Sequence, residues 1–336
     1  MTVESLGVGV IGFGLMGFRH AESYAQYPRA RLLAVADMQP AARARAQEVF
    51  GVAAFADFRD LLALPGIEAV SICLPDNLHR EAALGTLAAG KHLLLEKPLA
   101  MCVEEGEEIC QAAARSGCHV MVGHLLRFDP RYALAREAFQ SGRLGELVHV
   151  YARRNSAVLG PTRYGPNVSL AWHVTVHDID LIRWITGEEV VRVTAEGSAR
   201  VLARAGQTDS LAALLKLASG AFAVVESCWV LPEAYGSGLD AQLEIVGTHG
   251  VLEVKGLDQG LRIADTNGWT YPDTMRHARY GGRVWGLLRE EVEQFVDAVL
   301  GGKPPLVPCV DALAALRVVQ AIDRALAEER PIAMAG

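Results

Sequence analysis

In the stretch SLAWHVTVHDIDLIRW, residues 169–184, His173 and His177 stand four positions apart and Asp180 follows three further on. Residues at these spacings share one face of an α-helix. The three can therefore form a proton-handling group, a set of metal ligands, or the polar stripe of an ordinary amphipathic helix. An imidazole with a pKa near 6.5 takes up and returns protons around neutrality. A general base of that kind is typically worth about 10²–10⁴ in rate.

A second set of residues lies near the N-terminus. VGVIGFGLMGFRH ends an apolar run with Gly12, Gly14 and Gly17 in GxGxxG spacing. The first glycine permits the tight turn, the second lets the backbone approach a pyrophosphate, and the third lets helix pack on strand. The free N–H groups and positive dipole end of the following helix then face the phosphates. Asp37 closes AVAD twenty residues past Gly17, where a carboxylate can accept hydrogen bonds from both adenosine ribose hydroxyls and repel a 2′-phosphate. Met38 and Gln39 offer no cation for such a phosphate. NAD is therefore expected as cofactor rather than NADP, with Gly12, Phe13, Gly14, Leu15, Met16, Gly17 and Asp37 around it. In KHLLLEKPLA, Lys97 follows an apolar strand, at the carboxyl end where open α/β sheets bind ligands. An ammonium there can stabilise a developing alkoxide or carry a proton.

The elements that must hold these residues fall into two textures. Up to about residue 123, strand candidates at 6–13, 31–36, 52–55, 68–74, 91–96 and 118–123 alternate with amphipathic helices near 16–26, 40–50, 57–64, 77–89 and 102–116. Short apolar runs separated by helices imply a doubly wound parallel sheet. Beyond that, a helix near 130–141, a strand at 146–154 and the histidine helix precede strand-like runs at 189–199, 209–218, 221–230, 240–246, 249–255 and 260–264. Turns such as SGAF, GTHG and DTNGW suit hairpins. The expectation is a doubly wound α/β domain over 1–123 and a second domain over 124–336, with a mostly antiparallel sheet, helices on one of its faces and two terminal helices around a Gly/Pro break.

Composition limits the partners. At 336 residues and 36.1 kDa, half hydrophobic, the chain can bury two cores. A net charge of -7 gives no electrostatic reason to expect nucleic acid or an anionic membrane. AFAVVESCWVL is too short to span a bilayer and carries Glu226. No signal peptide is read at the N-terminus. The six cysteines, Cys73, Cys102, Cys110, Cys118, Cys228 and Cys309, form no CxxC pair. They read as reduced thiols in a cytoplasmic protein.

With GFGLMG, the segments CLPDNLHREAALGTLAAGKHLLLEKPLA (73–100) and VGHLLRFDPRYALAREAFQSGRLGELVHV (122–150) resemble the Gfo/Idh/MocA family, relatives of glucose–fructose oxidoreductase and inositol dehydrogenase. The likeness spans essentially the whole chain, and GKH…EKP is its most specific part. It implies a Rossmann domain over 1–123 followed by an α/β domain over 124–336 with a large open sheet, NAD(P)-dependent oxidation or reduction of a sugar, cyclitol or similar polyol, and a homodimer or homotetramer assembled through that sheet. It gives Lys97 the role of the family's EKP lysine, touching nicotinamide and substrate hydroxyl. The loop with Leu74, Pro75, Asn77 and His79, together with Glu96, is implied to line the nicotinamide pocket, and Arg127 matches an arginine near the second domain's entrance. Packing against Asp129 would explain Arg127 equally well.

The same resemblance puts His177, in HDID, at the catalytic base position, with Asp180 orienting it or pairing with Arg183. His173 stands where the family usually has Asp. It is read as a substrate contact in a differently tuned pocket, as a packed residue, or as a sign of lost dehydrogenase activity or of a metal. No metal is expected, because nicotinamide and Lys97 would crowd a dication that needs three protein ligands and an open position. Trp172, Tyr164 and Asn167 are candidate sugar contacts. The expected activity is an NAD-dependent dehydrogenase for a secondary alcohol. The alternatives are an NAD-dependent glycosidase working by transient oxidation and a non-catalytic sugar or dinucleotide sensor.

Overall fold

Fully buried strands mark the first sheet. β1 (Leu6–Ile11), β4 (Ala69–Ile72) and β6 (Val120–Gly123) bury every residue, as parallel strands covered on both faces do. With β2 (Ala30–Ala36), β3 (Ala53–Phe55) and β5 (His92–Glu96) they form a six-stranded parallel sheet in the order β3-β2-β1-β4-β5-β6. The crossovers are α1 (Leu15–Gln26), α2 (Pro40–Phe50), α3 (Phe58–Ala63), α4 (His79–Ala88) and α5 (Val103–Ser116). The computed structural model describes residues 4–157, 169–232, 235, 238–255, 261–266 and 268–334.

Two units result. The first joins residues 1–128 to 274–313, and the second joins 129–273 to 314–336. The stretch 274–313, read from sequence as part of the second domain, thus packs with the first. Its helix α8 (Leu287–Leu300) lies against α1 and buries Leu287, Leu288, Val292, Phe295 and Val296. Tyr27 and Arg29 both bond the Asp297 carboxylate on that helix. Sequence periodicity identifies α8 as amphipathic but not which surface it covers.

In the second unit, α6 (Pro130–Gln140) opens with Asp129 as N-cap, whose side chain accepts from the Arg131 N–H, and with Pro130 in its first turn. β7 (Leu147–Ala157) follows, and after the histidine helix come β8 (Val190–Ser198), β9 (Ser210–Leu217), β10 (Phe222–Leu231), β11 (Leu239–Gly247) and β12 (Gly250–Lys255). Short hairpins follow at β13 (Ile263–Asp265) with β14 (Gly268–Thr270) and, in the first unit, β15 (Ala278–Tyr280) with β16 (Arg283–Trp285). With the closing β17 (Ile332–Ala333) the large sheet runs β12-β11-β7-β10-β9-β8-β17. Among the described residues, only its β7–β10 pair is parallel. Along β9, Leu211, Ala213, Leu215 and Leu217 are buried while Ala212 and Leu214 face out, so one face of the sheet carries the core.

The reading of six reduced cysteines is corrected: Cys110 and Cys309 are joined by a disulfide, with Cα atoms 5.6 Å apart. Residues 307–308 run antiparallel along β6, where the Val122 N–H donates to the Val307 carbonyl at 3.0 Å. That path brings Cys309, the first residue of α9 (Cys309–Glu328), to α5. The partners are 199 residues apart, so no local spacing announces them. Closing so long a loop is expected to stabilise the first unit by about 2–4 kcal/mol. Dithiothreitol, or Cys110→Ser, should therefore lower its melting temperature by several degrees in a calorimetric scan. An unchanged transition would show that the crosslink constrains little.

Candidate active site

The glycine turn between β1 and α1 is built as tightly as its spacing demands. Gly12 has φ +86°, and a side chain there would strike the Cys73 carbonyl oxygen at 2.6 Å. A Cβ at Gly17 would lie 1.8 Å from the Gly12 oxygen, so helix and turn meet at backbone contact. Gly14 differs: a Cβ built on it meets nothing within 4 Å. As N-cap of α1 it supplies no side-chain acceptor. Gly14 and Leu15 are both exposed where α1 begins with its free N–H groups, an arrangement suited to a pyrophosphate. Leu15 is exposed, Met16 half-buried and Phe13 buried against Phe18 and Phe50.

Asp37, at the end of β2, reaches back to this turn. Its Oδ2 accepts from the Phe13 N–H at 2.7 Å and its Oδ1 from the Gln39 N–H at 2.8 Å. The side chain is thereby fixed beside the glycine turn. One turn into α2, Arg43 donates to the Asp37 and Met38 carbonyl oxygens at 2.8 and 2.9 Å. A sequence reading confined to Met38 and Gln39 misses this cation, because only the helix brings it back to the corner.

The loops after β4 and β5 are tied together. Buried His79 places Nδ1 2.8 Å from the Pro98 carbonyl and Nε2 3.0 Å from the Leu74 carbonyl. It thus bridges the loop of Pro75 and Asn77, both exposed, to the segment of half-buried Lys97. The Lys97–Pro98 peptide is cis. The Lys97 N–H donates to Glu96 Oε2 at 3.2 Å, and Glu96 Oε1 lies 3.1 Å from His20 Nε2. Burial alone would raise the Glu96 carboxyl, but the His20 hydrogen bond and the charges of His20, Lys97 and His79 hold it below the ordinary range. Arg127 is buried in the same unit and donates to Asp311 at 2.8 Å and the Leu306 carbonyl at 3.2 Å. Asp129, the alternative partner weighed for it, is forked by Arg131, the closest contact being 2.7 Å.

In the second unit the two histidines do not share a plain α-helix. A wide π-type turn, Ala171–Thr175, carries His173 and runs directly into α7 (Val176–Thr186), which carries His177. Such turns recur at functional sites. Both histidines are half-buried. The inward face is fixed by neighbours: Thr175 bonds Ser227 on β10 at 2.9 Å, and buried Asp178 forks Arg154 of β7 at 2.8 and 2.9 Å. Burial holds the Asp178 carboxyl above its ordinary range, with the Arg154 guanidinium offsetting only part of the rise. Asp180 is also buried, and Arg183 pairs with Glu189 at 3.0 Å. The Trp172 indole donates to Asp323 at 2.6 Å, and the Ser169 hydroxyl bonds the same carboxylate at 2.8 Å. Tyr164 and Asn167 lie outside the described residues.

Both halves of the chain define a two-domain, nicotinamide-type oxidoreductase. Residues 6–124 match the model of the oxidoreductase family with NAD-binding Rossmann fold, and residues 132–253 match the GFO/IDH/MocA C-terminal domain. The chain belongs to the Gfo/Idh/MocA family. It is similar to an inositol 2-dehydrogenase of Rhizobium meliloti, 30% identical over 100% of both chains. Among solved structures it is similar to scyllo-inositol dehydrogenase of Lactobacillus casei with bound NAD(H) and scyllo-inositol (26% identity, 98% and 99% coverage, TM-score 0.86). It is also similar to GenD2 from gentamicin A biosynthesis in complex with NAD (25% identity, 100% and 98% coverage, TM-score 0.85).

Proposed function

We propose that the protein is an NAD-dependent dehydrogenase that oxidises a secondary alcohol of a cyclitol or related polyol. The observation that carries the reading is the first unit's arrangement. The open approach at Gly14, the carboxylate of Asp37 and the ammonium-bearing Lys97 all lie at the carboxyl edge of one parallel sheet. Full-length similarity to an inositol 2-dehydrogenase supports the substrate class.

A bound nicotinamide would accept and return the hydride. The N–H groups at the start of α1 would hold the pyrophosphate, Asp37 the adenosine ribose, and Leu74, Pro75, Asn77 and His79 the loop beside the ring. Lys97 stabilises the alkoxide that develops as the substrate hydroxyl loses its proton. His177 removes that proton and returns it in the reverse direction. His173, in place of a carboxylate, donates or accepts a substrate hydrogen bond, with Trp172 and Arg127 as further contacts. The protein is read as cytoplasmic, and the Cys110–Cys309 bridge counts against that reading because thiols are kept reduced there. Among the described residues, no helix is long and apolar enough to cross a membrane. Self-association into a dimer or tetramer is supported by the outer face of the large sheet, where Leu214 and Phe222 are exposed beside Arg192 and Lys216.

The test is absorbance of reduced cofactor with purified protein, NAD+ or NADP+, and a panel of inositols, aldoses and amino sugars. Turnover of a cyclitol with NAD+ preferred by tenfold or more is expected. Consumption of a glycoside without net reduced cofactor, or NAD+ binding with no turnover in either direction, would overturn it. Sedimentation velocity of the same preparation should report a dimer or tetramer.

A further inference from the structure

Behind Lys97, the first unit buries a polar cluster that hydride transfer does not require. His20 of α1 places Nδ1 3.1 Å from the Ser71 hydroxyl, which lies 2.7 Å from the Tyr24 hydroxyl. Its other nitrogen meets Glu96. Glu291 of α8 completes the group: one oxygen of Glu291, one of Glu96 and one ring nitrogen of His20 all lie within 4.8 Å of one another. Glu291 is 1% exposed, and neither of its carboxyl oxygens has a hydrogen-bond partner among the described residues.

Two buried carboxyl groups at this separation do not both ionise. Glu96 has the cations and donors: His20, the Lys97 backbone N–H, and the charges of Lys97 and His79. Glu291 has burial and the Glu96 charge, both of which push its carboxyl well up. Tyr24 and Cys73, the other titratable groups near it, are both raised by burial and remain neutral at pH 7. Of the two, Glu96 is the carboxyl held down and Glu291 the one pushed up. A neutral carboxyl has one O–H to donate, and Glu96, with an oxygen within 4.8 Å, is an acceptor that a small side-chain rotation would bring into reach.

We propose that Glu291 is a positioning residue: as a neutral acid it donates to Glu96 and fixes the carboxylate that precedes Lys97, so that the lysine is held at the strand end. This rests on the reading above in that Lys97 serves the reaction. Ionisation of Glu291 at high pH would place two adjacent anions behind Lys97 and draw its ammonium back.

The experiment pairs infrared difference spectra with kinetics on the full-length enzyme. Wild type at pH 8 should show the C=O band of a protonated carboxyl that is missing in Glu291→Gln. Glu291→Leu, which removes the donor but stays apolar, should lower kcat about tenfold or more, the size of a lost hydrogen bond to a charged group, with KM for NAD+ little changed. Glu291→Gln keeps a neutral donor and should rescue kcat to within about threefold. It should also lose the alkaline fall in kcat that wild type shows. Absence of the carboxyl band overturns the proposal even if polyols turn over, and so does a stoichiometric metal in the purified protein that Glu291→Gln loses. Equal damage in the two variants would mean a structural role and would also overturn it. A band present in an enzyme that turns over no polyol would instead count against the dehydrogenase reading.

Discussion

Replacing Lys97 by Ala is expected to lower kcat by about 10²–10⁴, the usual worth of a positioned acid–base or oxyanion group. NAD+ affinity, read by fluorescence titration, should change less than about tenfold. The split is expected because the pyrophosphate and ribose contacts proposed here come from α1 and Asp37, remote in sequence from Lys97 and independently braced. Lys97→Arg should not restore the rate. A planar guanidinium keeps the charge but cannot occupy the position of a compact ammonium on a short, pinned segment. That segment is held from both sides, by His79 on the Pro98 carbonyl and by Glu96 on the Lys97 N–H. His177→Ala should cost a similar factor, and the double variant should cost far less than the product, as for groups that act as a unit. A Lys97→Ala enzyme within threefold of wild type would remove the lysine from the mechanism.

Why some of this was legible in sequence and some was not has a physical basis. Parallel strands buried on both faces read as unbroken apolar runs, so β1, β4, β5 and β6 stand out. Part of the glycine spacing is dictated within one turn, by the positive φ of Gly12 and the contact of Gly17 with the Gly12 oxygen, although the Cys73 carbonyl that also bars a side chain at Gly12 comes from β4's end. What escaped depends on segments far apart along the chain. Glu291 looks like one more acidic residue on an amphipathic helix until α8 packs on α1 and buries it. The Cys110–Cys309 bridge depends on the path of residues 307–308 along β6. HDID drew attention to His177 and Asp180 and passed over Asp178, which meets a buried cation. A signal for that was present. Arg153 and Arg154 are consecutive on β7, so their side chains must point to opposite faces. Arg153 meets Asp240 at 2.8 Å and Arg154 is buried under the histidine helix. A buried arginine demands a carboxylate.

That pair sets up the second large effect. Asp178→Asn or Arg154→Leu is expected to destabilise the second unit by about 3–5 kcal/mol, because each leaves the other member buried without its countercharge. For a domain of this size, each kcal/mol lowers the melting temperature by about 2–4 °C, so a loss of roughly 10 °C should appear in a thermal scan. Replacing both together, Arg154→Met with Asp178→Leu, should recover most of it, since an apolar pair of similar volume often matches a buried ion pair. The recovered protein then separates stability from activity. Asp178 anchors the inward face of α7, and its chain neighbour His177 is set about 100° around the helix by that anchor. If the bidentate fork fixes the rotation of α7, the double variant should melt near wild type yet keep a depressed kcat. If ordinary packing of Ile179, Ile182 and Ile185 fixes it, kcat should return along with the melting temperature. Single variants that melt within about 2 °C of wild type would show instead that the buried pair contributes little to stability.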